Sequence, residues 1–169
     1  MELTTGRLQL RLQSPEQVQA MLASLPDETL AEVSPEWLAL VHQAIAADPW
    51  IHGFTVWLTE QATVPMDSAS DIAASQIGFC GFKAPPSETG CVEIAYGIAE
   101  QHQCRGYATE CVRALTEFAF GHDRVQTVLA HTRPEPNAST RVLTKCGFDK
   151  TMELVDPHDG PVWRWEKNR

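Results

Sequence analysis

Gln103-Cys104-Arg105-Gly106-Tyr107-Ala108 is a run whose chemistry lies in its backbone. It separates a short apolar strand pattern from a strongly amphipathic helix pattern. Amide N–H groups at a helix start have no partner within the helix, and the helix dipole favours an anion there. Gly106 lets the chain turn tightly and come close to a ligand. Taken alone, the run reads equally well as an anion-gripping turn or as a plain strand–helix connection with a useful glycine. Other reactive side chains are scattered. The five cysteines, Cys80, Cys91, Cys104, Cys111 and Cys146, are odd in number and form no C-x-x-C. That pattern predicts free thiols. The six histidines show no paired metal-ligand spacing, so no metal is expected. No G-x-x-x-x-G-K-[ST] occurs, and no G-x-G-x-x-G follows the first strand pattern, which disfavours nucleotide hydrolysis and dinucleotide oxidoreduction.

The elements that must position the run can be read from periodicity. Leu8, Leu10 and Leu12 alternate with polar residues and predict a half-buried strand. Ser14-Pro15-Glu16-Gln17 is a helix start, followed by Val18, Met21, Leu22 and Leu25 at helical spacing. Ser34-Pro35-Glu36 repeats the signal ahead of an apolar stripe that begins at Trp37 and Leu38. Strands are predicted at Phe54–Leu58, Ile77–Lys83 and Cys91–Ile98, with residues 61–74 as an exposed polar loop and 84–90 as a turn. Ala108, Cys111, Val112, Leu115, Phe118 and Ala119 share one helix face, which Gly121 ends. A strand at Val125–His131, a short helix stopped by Gly147, and strands at Phe148–Leu154 and Val162–Trp165 complete the chain. Cys80 and Cys91 flank one predicted hairpin, where they would face each other. The order is that of a mixed α/β layer fold.

The composition bounds the partners. A chain of 169 residues, 43% hydrophobic and 21% charged, is expected to form one domain with a substantial core. The formal charge of −9 lacks the basic footprint of a nucleic-acid binder. No apolar run is long enough to span a membrane, and the N-terminal residues lack an export pattern, so a cytoplasmic protein is expected.

Four ordered stretches together resemble the GNAT superfamily of N-acyltransferases, in particular its RimJ/RimL-like branch of ribosomal-protein N-terminal acetyltransferases. Thr5-Gly6-Arg7-Leu8-Gln9-Leu10-Arg11 is similar to the opening T-x-R-L-x-L-R strand. Glu93-Ile94-Ala95-Tyr96-Gly97-Ile98 is similar to the E-I-G-Y-x-L strand. Gln103-x-x-Gly106-x-Ala108, continuing through Thr109-Glu110, matches the Q/R-x-x-G-x-G/A loop. Asn137 to Phe148 resembles the second motif, ending R-V-L-x-K-x-G-F. One spacing departs: Asn137 stands two residues before Ser139, where the family usually has three.

The resemblance implies a GNAT-type fold: a mixed, mostly antiparallel sheet of about seven strands, splayed between the fourth and fifth, with helices on both faces. It implies a single domain over 1–169, with an acyl-CoA core at 91–148 and a variable acceptor-side lobe at 14–75. It implies acetyl-CoA as donor cosubstrate and a primary amine, on a peptide or a small molecule, as acceptor, with the chain a monomer or homodimer. Amides from Cys104 through Arg105, Gly106, Tyr107 and Ala108 to Thr109 would grip the pyrophosphate, with Gln103 opening the loop. Backbone groups near Tyr96, Gly97 and Ile98 would hold the pantetheine arm, and Asn137 would reach the cofactor or simply cap its helix. Glu93 would be the proton acceptor, or else a salt-bridged carboxylate. Ser139 would assist the departing thiolate, or serve only its own backbone. Positive charge at Arg105, Arg133, Arg141 or Lys145 would meet the 3′-phosphate. A non-catalytic acyl-CoA-binding module on the same fold is the alternative.

Overall fold

The computed structural model describes residues 1–31, 33–59, 76–157 and 159–169. The predicted loop at 61–74, and with it the end of the 14–75 lobe, lies outside the described residues. Eight strands form one sheet: β1 (Glu2–Thr4), β2 (Leu8–Leu12), β3 (Phe54–Leu58), β4 (Gln76–Phe82), β5 (Cys91–Ile98), β6 (Thr127–Thr132), β7 (Asp149–Asp156) and β8 (Gly160–Asn168). Their spatial order is β1-β2-β3-β4-β5-β6-β8-β7. β1 is the strand that periodicity missed. Three residues are too few for alternation to register.

Every neighbouring pair is antiparallel except β5 and β6. That parallel pair is joined only at Cys91↔Thr127, Val92↔Val128 and Glu93↔Leu129. Beyond Glu93 the two strands part, so the expected splay is present. The backbone of β5 past that point has β4 on one side and a gap on the other.

The helices follow their capping chemistry. α1 (Pro15–Ser24) opens with a reciprocal capping box between Ser14 and Gln17. α2 (Asp27–Ala31) is a single short turn that the sequence reading did not separate from its neighbours. α3 (Pro35–Gln43) is capped by the Ser34 hydroxyl, which accepts from the Trp37 amide. α4 (Tyr107–Phe120) and α5 (Ala138–Lys145) flank the splay. α5 ends in a Schellman motif: Phe148 N–H reaches Leu143 O, Gly147 N–H reaches Thr144 O, and Gly147 takes φ +77°.

Strand parity then divides the sheet. Leu8, Leu10, Phe54, Val56, Ile94 and Val128 point to one face and pack with Cys111, Val112 and Leu115 of α4 and Leu143 of α5. The apolar faces of α1 and α3 meet in a separate small cluster of Val18, Leu22 and Val41. Cys80 lies opposite Tyr96, not Cys91, because the β4–β5 register places Phe82 against Ile94. Cys80 is buried against Cys111 of α4, and all five cysteines are free. The aromatic residues mainly pack. Trp50 sits 4.5 Å from Phe82 and 5.3 Å from Phe118, centroid to centroid. Trp165 is buried and donates to Thr132 Oγ1 at 3.1 Å.

Candidate active site

β5 delivers the chain to a turn of 3₁₀ helix at Glu100–His102, and the run Gln103–Gly106 then starts α4. Gln103 folds back, its Nε2 donating to Ile98 O at 2.9 Å. Cys104 takes φ +59° and Gly106 φ +85°, so the run contains two left-handed residues. Gly106 is the N-cap and carries no side chain to satisfy the helix start. The first helical bond into this turn is Glu110 N–H to Gly106 O. The amides of Tyr107, Ala108 and Thr109 therefore have no intrahelical acceptor and point out of the helix start.

A clamp from the N-terminal segment holds this turn. Thr5 Oγ1 donates to Glu110 Oε2 at 2.8 Å, and Arg7 Nε donates to Glu110 Oε1 at 2.6 Å. Arg7 Nη2 also donates to Arg105 O at 3.0 Å, and the guanidinium lies 4.7 Å from the Tyr107 ring centroid. Thr5 and Arg7 of the first stretch and Glu110 of the third thus form one structural unit, although four of the strands, β2 to β5, lie between them in sequence. Glu110→Ala is expected to lower the urea unfolding free energy by about 1 kcal/mol, the scale of a partly exposed ion pair. It is also expected to weaken acetyl-CoA binding measured by calorimetry, because Arg7 then loses the partner that keeps it on the Arg105 carbonyl.

The backbone of β5 alternates its partners. Lys83 N–H donates to Glu93 O and Ala99 N–H to Ile77 O, so the odd-numbered residues bond to β4. The groups of Ile94, Tyr96 and Ile98 face the gap. The backbone groups of Gly97 turn toward Phe79 of β4, although the residue itself borders the first of the two cavities at the splay. Its lack of a side chain has another reason, since a Cβ there would meet Phe79 Cε1 at 2.7 Å.

Two cavities adjoin at the splay. The first, of about 490 Å³, is bounded by Tyr96, Gly97 and Ile98 on β5, by Gln103, Cys104, Gly106, Tyr107, Ala108 and Thr109 at the start of α4, and by Ser139, Arg141 and Lys145 on α5. The second, of about 480 Å³, is bounded by Lys83, Glu93, His131, Arg133 and Asp159 among others. Tyr96 and Ser139 belong to both walls. Arg105 and Asn137 line neither. Arg105 presents its carbonyl to Arg7, and Asn137 is the N-cap of α5, where Thr140 N–H donates to its Oδ1 at 3.0 Å. The cap explains Asn137 without a ligand. Of the four cations that the sequence offered for a phosphate, Arg141 and Lys145 border the first cavity and Arg133 the second. None of the five tryptophans lines either cavity.

Glu93 is bound on both sides. Its Oε1 lies 2.6 Å from Lys83 Nζ and 3.0 Å from His131 Nδ1. Burial pushes the carboxyl up, but the hydrogen bonds and charges of His131 and Lys83 outweigh this and hold it below its ordinary value. A proton acceptor needs the opposite adjustment, toward the working pH. The sequence reading gave His131 no role beyond ending a predicted strand. On a strand of alternating apolar residues, a single histidine gave no signal until the fold set it beside Glu93. Tyr96 Oη lies 3.5 Å from Ser139 O, and burial pushes its hydroxyl up to about 12. Among the described residues, no group of three or more His, Cys, Asp or Glu is arranged to hold a metal, and no helix is long and apolar enough to cross a membrane.

A mixed sheet opened between two parallel strands, with a bare helix start at the mouth, defines the N-acyltransferase architecture. The family model described as an acetyltransferase (GNAT) domain matches residues 7–149, and the chain belongs to that family. The uncharacterised N-acetyltransferase YoaA of Bacillus subtilis is 27% identical over 88% of this chain and 82% of its own. The uncharacterised N-acetyltransferase p20 of Bacillus licheniformis is 32% identical over 47% of this chain, and the match spans 45% of that relative's length. The fold is shared with RimL, a ribosomal L7/L12 alpha-N-protein acetyltransferase in complex with coenzyme A, at a TM-score of 0.66 and 14% identity, covering 99% of this chain and 98% of that one. It is also shared with the aminoglycoside acetyltransferase AAC(6')-Ib, in complex with coenzyme A and kanamycin, at a TM-score of 0.59 and 18% identity, covering 96% and 95%.

Proposed function

We propose that this protein is an acetyl-CoA-dependent N-acetyltransferase that acts on a primary amine, either a protein N-terminus or a small-molecule amine, by direct attack within a ternary complex. The observation that carries the reading is the common wall of the two cavities at Tyr96 and Ser139. One cavity has the features of a donor site. The bare amides of Tyr107, Ala108 and Thr109 suit a pyrophosphate, and the dipole of α4 favours its charge. Arg141 and Lys145 are placed for the remaining phosphate. The gap-facing groups of Ile94 and Tyr96, with the amide of Ile98 whose carbonyl Gln103 already holds, suit an extended amide-bearing arm, which would add to β5 as a strand does. The thioester would then lie where the cavities meet, and the second cavity would admit the amine. A backbone N–H of β5 in the gap is placed to receive the oxyanion.

RimL is a ribosomal L7/L12 alpha-N-protein acetyltransferase, and AAC(6')-Ib is an aminoglycoside acetyltransferase. Both descriptions are compatible with an amine acceptor, and the second cavity here suits that shared chemistry. Direct transfer suits this layout: His102 and Cys104 line the first cavity but neither lines the second, where the amine would enter.

Acetyl-CoA at about one hundred times its Kd is expected to stabilise the fold by about 2.7 kcal/mol. For a chain of this size that corresponds to a rise in Tm of roughly 5–10 °C. CoA-thiol release with a panel of amines follows as the second measurement. No thermal shift overturns the reading, and a shift without thiol release from any amine replaces it with a binding module.

A further inference from the structure

The wall of the second cavity that holds Glu93 also holds an imidazole, His131. Glu93 and His131 lie on adjacent parallel strands and point to the sheet face away from α4 and α5, as the opposite parity of Ile94 and Ala130 requires. His131 Nδ1 is 3.0 Å from Glu93 Oε1, and that same oxygen receives Lys83 Nζ at 2.6 Å. Lys83 is tied in turn to Asp159 Oδ2 at 3.8 Å. The carboxylate is therefore fixed from two directions. Being acceptor-only when ionised, it requires the proton of the imidazole to sit on Nδ1. The lone pair is then on Nε2. That nitrogen is buried and has no hydrogen-bond partner among the described residues, and His131 is one of the residues that border the cavity. Buried polar atoms are nearly always paired, so an unpaired acceptor in the wall of a polar cavity is matched to a donor that arrives there.

We propose that His131, through Nε2, takes the proton from the acceptor amine, and that Glu93 is a positioning residue that holds the ring in the Nδ1–H tautomer and stabilises the imidazolium. The arrangement has the logic of a carboxylate-oriented histidine base. It rests on the acetyltransferase reading above.

The balance is as follows. An ammonium R–NH₃⁺ gives one proton to Nε2, directly or through one water, and becomes a free amine. Its nitrogen lone pair forms the C–N bond to the thioester carbonyl carbon. The C–S bond breaks, and its electron pair leaves on sulfur as the CoA thiolate. The new amide nitrogen still carries one proton too many; this proton neutralises the thiolate to CoA-SH. His131 returns its own proton to solvent through the second cavity. One thioester and one ammonium thus yield one amide, one thiol and one proton.

Several charged groups surround the imidazole. Glu93 on β5 is bonded to it. On β8, Arg164 is its cross-strand neighbour, and Arg164 Nε is 2.7 Å from Glu166 Oε1. Lys83 beyond β4, Arg133 beyond β6 and Asp159 between β7 and β8 complete the set. Two anions of this group, Glu93 and Glu166, are each bound to a cation, so the nearby charges largely offset one another.

The test has one arm that needs no acceptor. A long-range ¹H–¹⁵N spectrum of the histidine rings, assigned with His131→Gln, reads the tautomer in the parent protein. An Nδ1–H pattern for His131 is expected, and an Nε2–H pattern overturns the proposal. The second arm follows CoA-thiol release from acetyl-CoA with n-butylamine, spermidine and a short N-terminal peptide, from about pH 5 to 9. His131→Gln is expected to keep the thermal shift with acetyl-CoA, which shows that it is folded. It is expected to lose about 10²- to 10⁴-fold in kcat, together with the rising limb of kcat/KM below neutral pH. Glu93→Gln is expected to lose less and to keep a displaced limb. A His131→Gln profile with the parent's limb, or a limb abolished only by Glu93→Gln, returns the base to Glu93. If the parent itself releases no thiol with any of these amines but still shifts with acetyl-CoA, the enzyme reading fails, and the proposal with it, whatever the tautomer.

Discussion

Gly106→Val is expected to raise the Kd for acetyl-CoA about 10- to 100-fold while leaving the fold intact. Space is not the obstacle, because a Cβ at Gly106 would meet only Arg7 Nη2, at 3.3 Å. The backbone is. At φ +85° a β-branched residue is a genuine outlier, and holding it there costs about 1–3 kcal/mol. Cys104 at φ +59° already places one non-glycine residue in the left-handed region two positions earlier. The turn therefore has little freedom to absorb a second. It relieves the strain by rotating the peptides around Gly106, and the amides of Tyr107, Ala108 and Thr109 then no longer converge. About 1.4 kcal/mol corresponds to each factor of ten in affinity. Calorimetry with acetyl-CoA reads the loss directly. Gly106→Asn is the control, since Asn tolerates the left-handed region far better and is expected to retain most of the affinity. Equal losses in the two variants would show that side-chain volume, not φ, governs the turn.

The same turn shows what periodicity can and cannot reveal. α4 is legible because Cys111, Val112, Leu115 and Ala119 face one core, and the resulting 3.6-residue rhythm is written into the sequence. Gly106 is legible because only glycine takes φ near +85° without strain. The clamp of Thr5, Arg7 and Glu110 is not legible. Its members come from opposite ends of the β2–α4 contact, and polar side chains carry no period of their own. For the same reason His131 stayed hidden: its partner Glu93 lies on a strand that becomes its neighbour only through a parallel crossover. Glu93 itself was found, but its role was read from type and position alone. The fold surrounds it with Lys83 and His131, contacts that the sequence, which left it as either base or salt-bridged carboxylate, did not reveal. The side to which the backbone of Gly97 turns was not legible for a simpler reason. A strand's backbone groups alternate sides as its side chains do, and the partner of each group depends on which neighbour the fold supplies.

Tyr96→Phe is expected to lower kcat about 100-fold with little change in the Kd for acetyl-CoA, on the scale of removing one preorganised donor from a reaction centre. Tyr96 stands in the wall common to both cavities, and among the described residues its hydroxyl donates to Ser139 O at 3.5 Å, the outer limit of a hydrogen bond. It is therefore available to a new acceptor. Burial pushes the phenol up to about 12, the opposing effect of the Ser139 contact being smaller. A thiol loses its proton near pH 8.5, about 3.5 pH units lower, so full proton transfer from Tyr96 to the departing sulfur is uphill by about 5 kcal/mol. Tyr96 is thus suited to donate a hydrogen bond to the thiolate and unsuited to protonate it. Two consequences separate it from an ordinary general acid. Tyr96→Phe lowers the plateau of the pH–rate profile without moving either limb, because the hydroxyl does not ionise anywhere in the assay range. Ser139→Ala, which removes a hydroxyl beside the same junction, is expected to stay within about threefold of the parent, since a neutral alcohol that is less well placed adds little to the stabilised thiolate. A large loss in Ser139→Ala together with a near-normal Tyr96→Phe would exchange the two roles, and a shifted alkaline limb in Tyr96→Phe would make the phenol a proton donor after all.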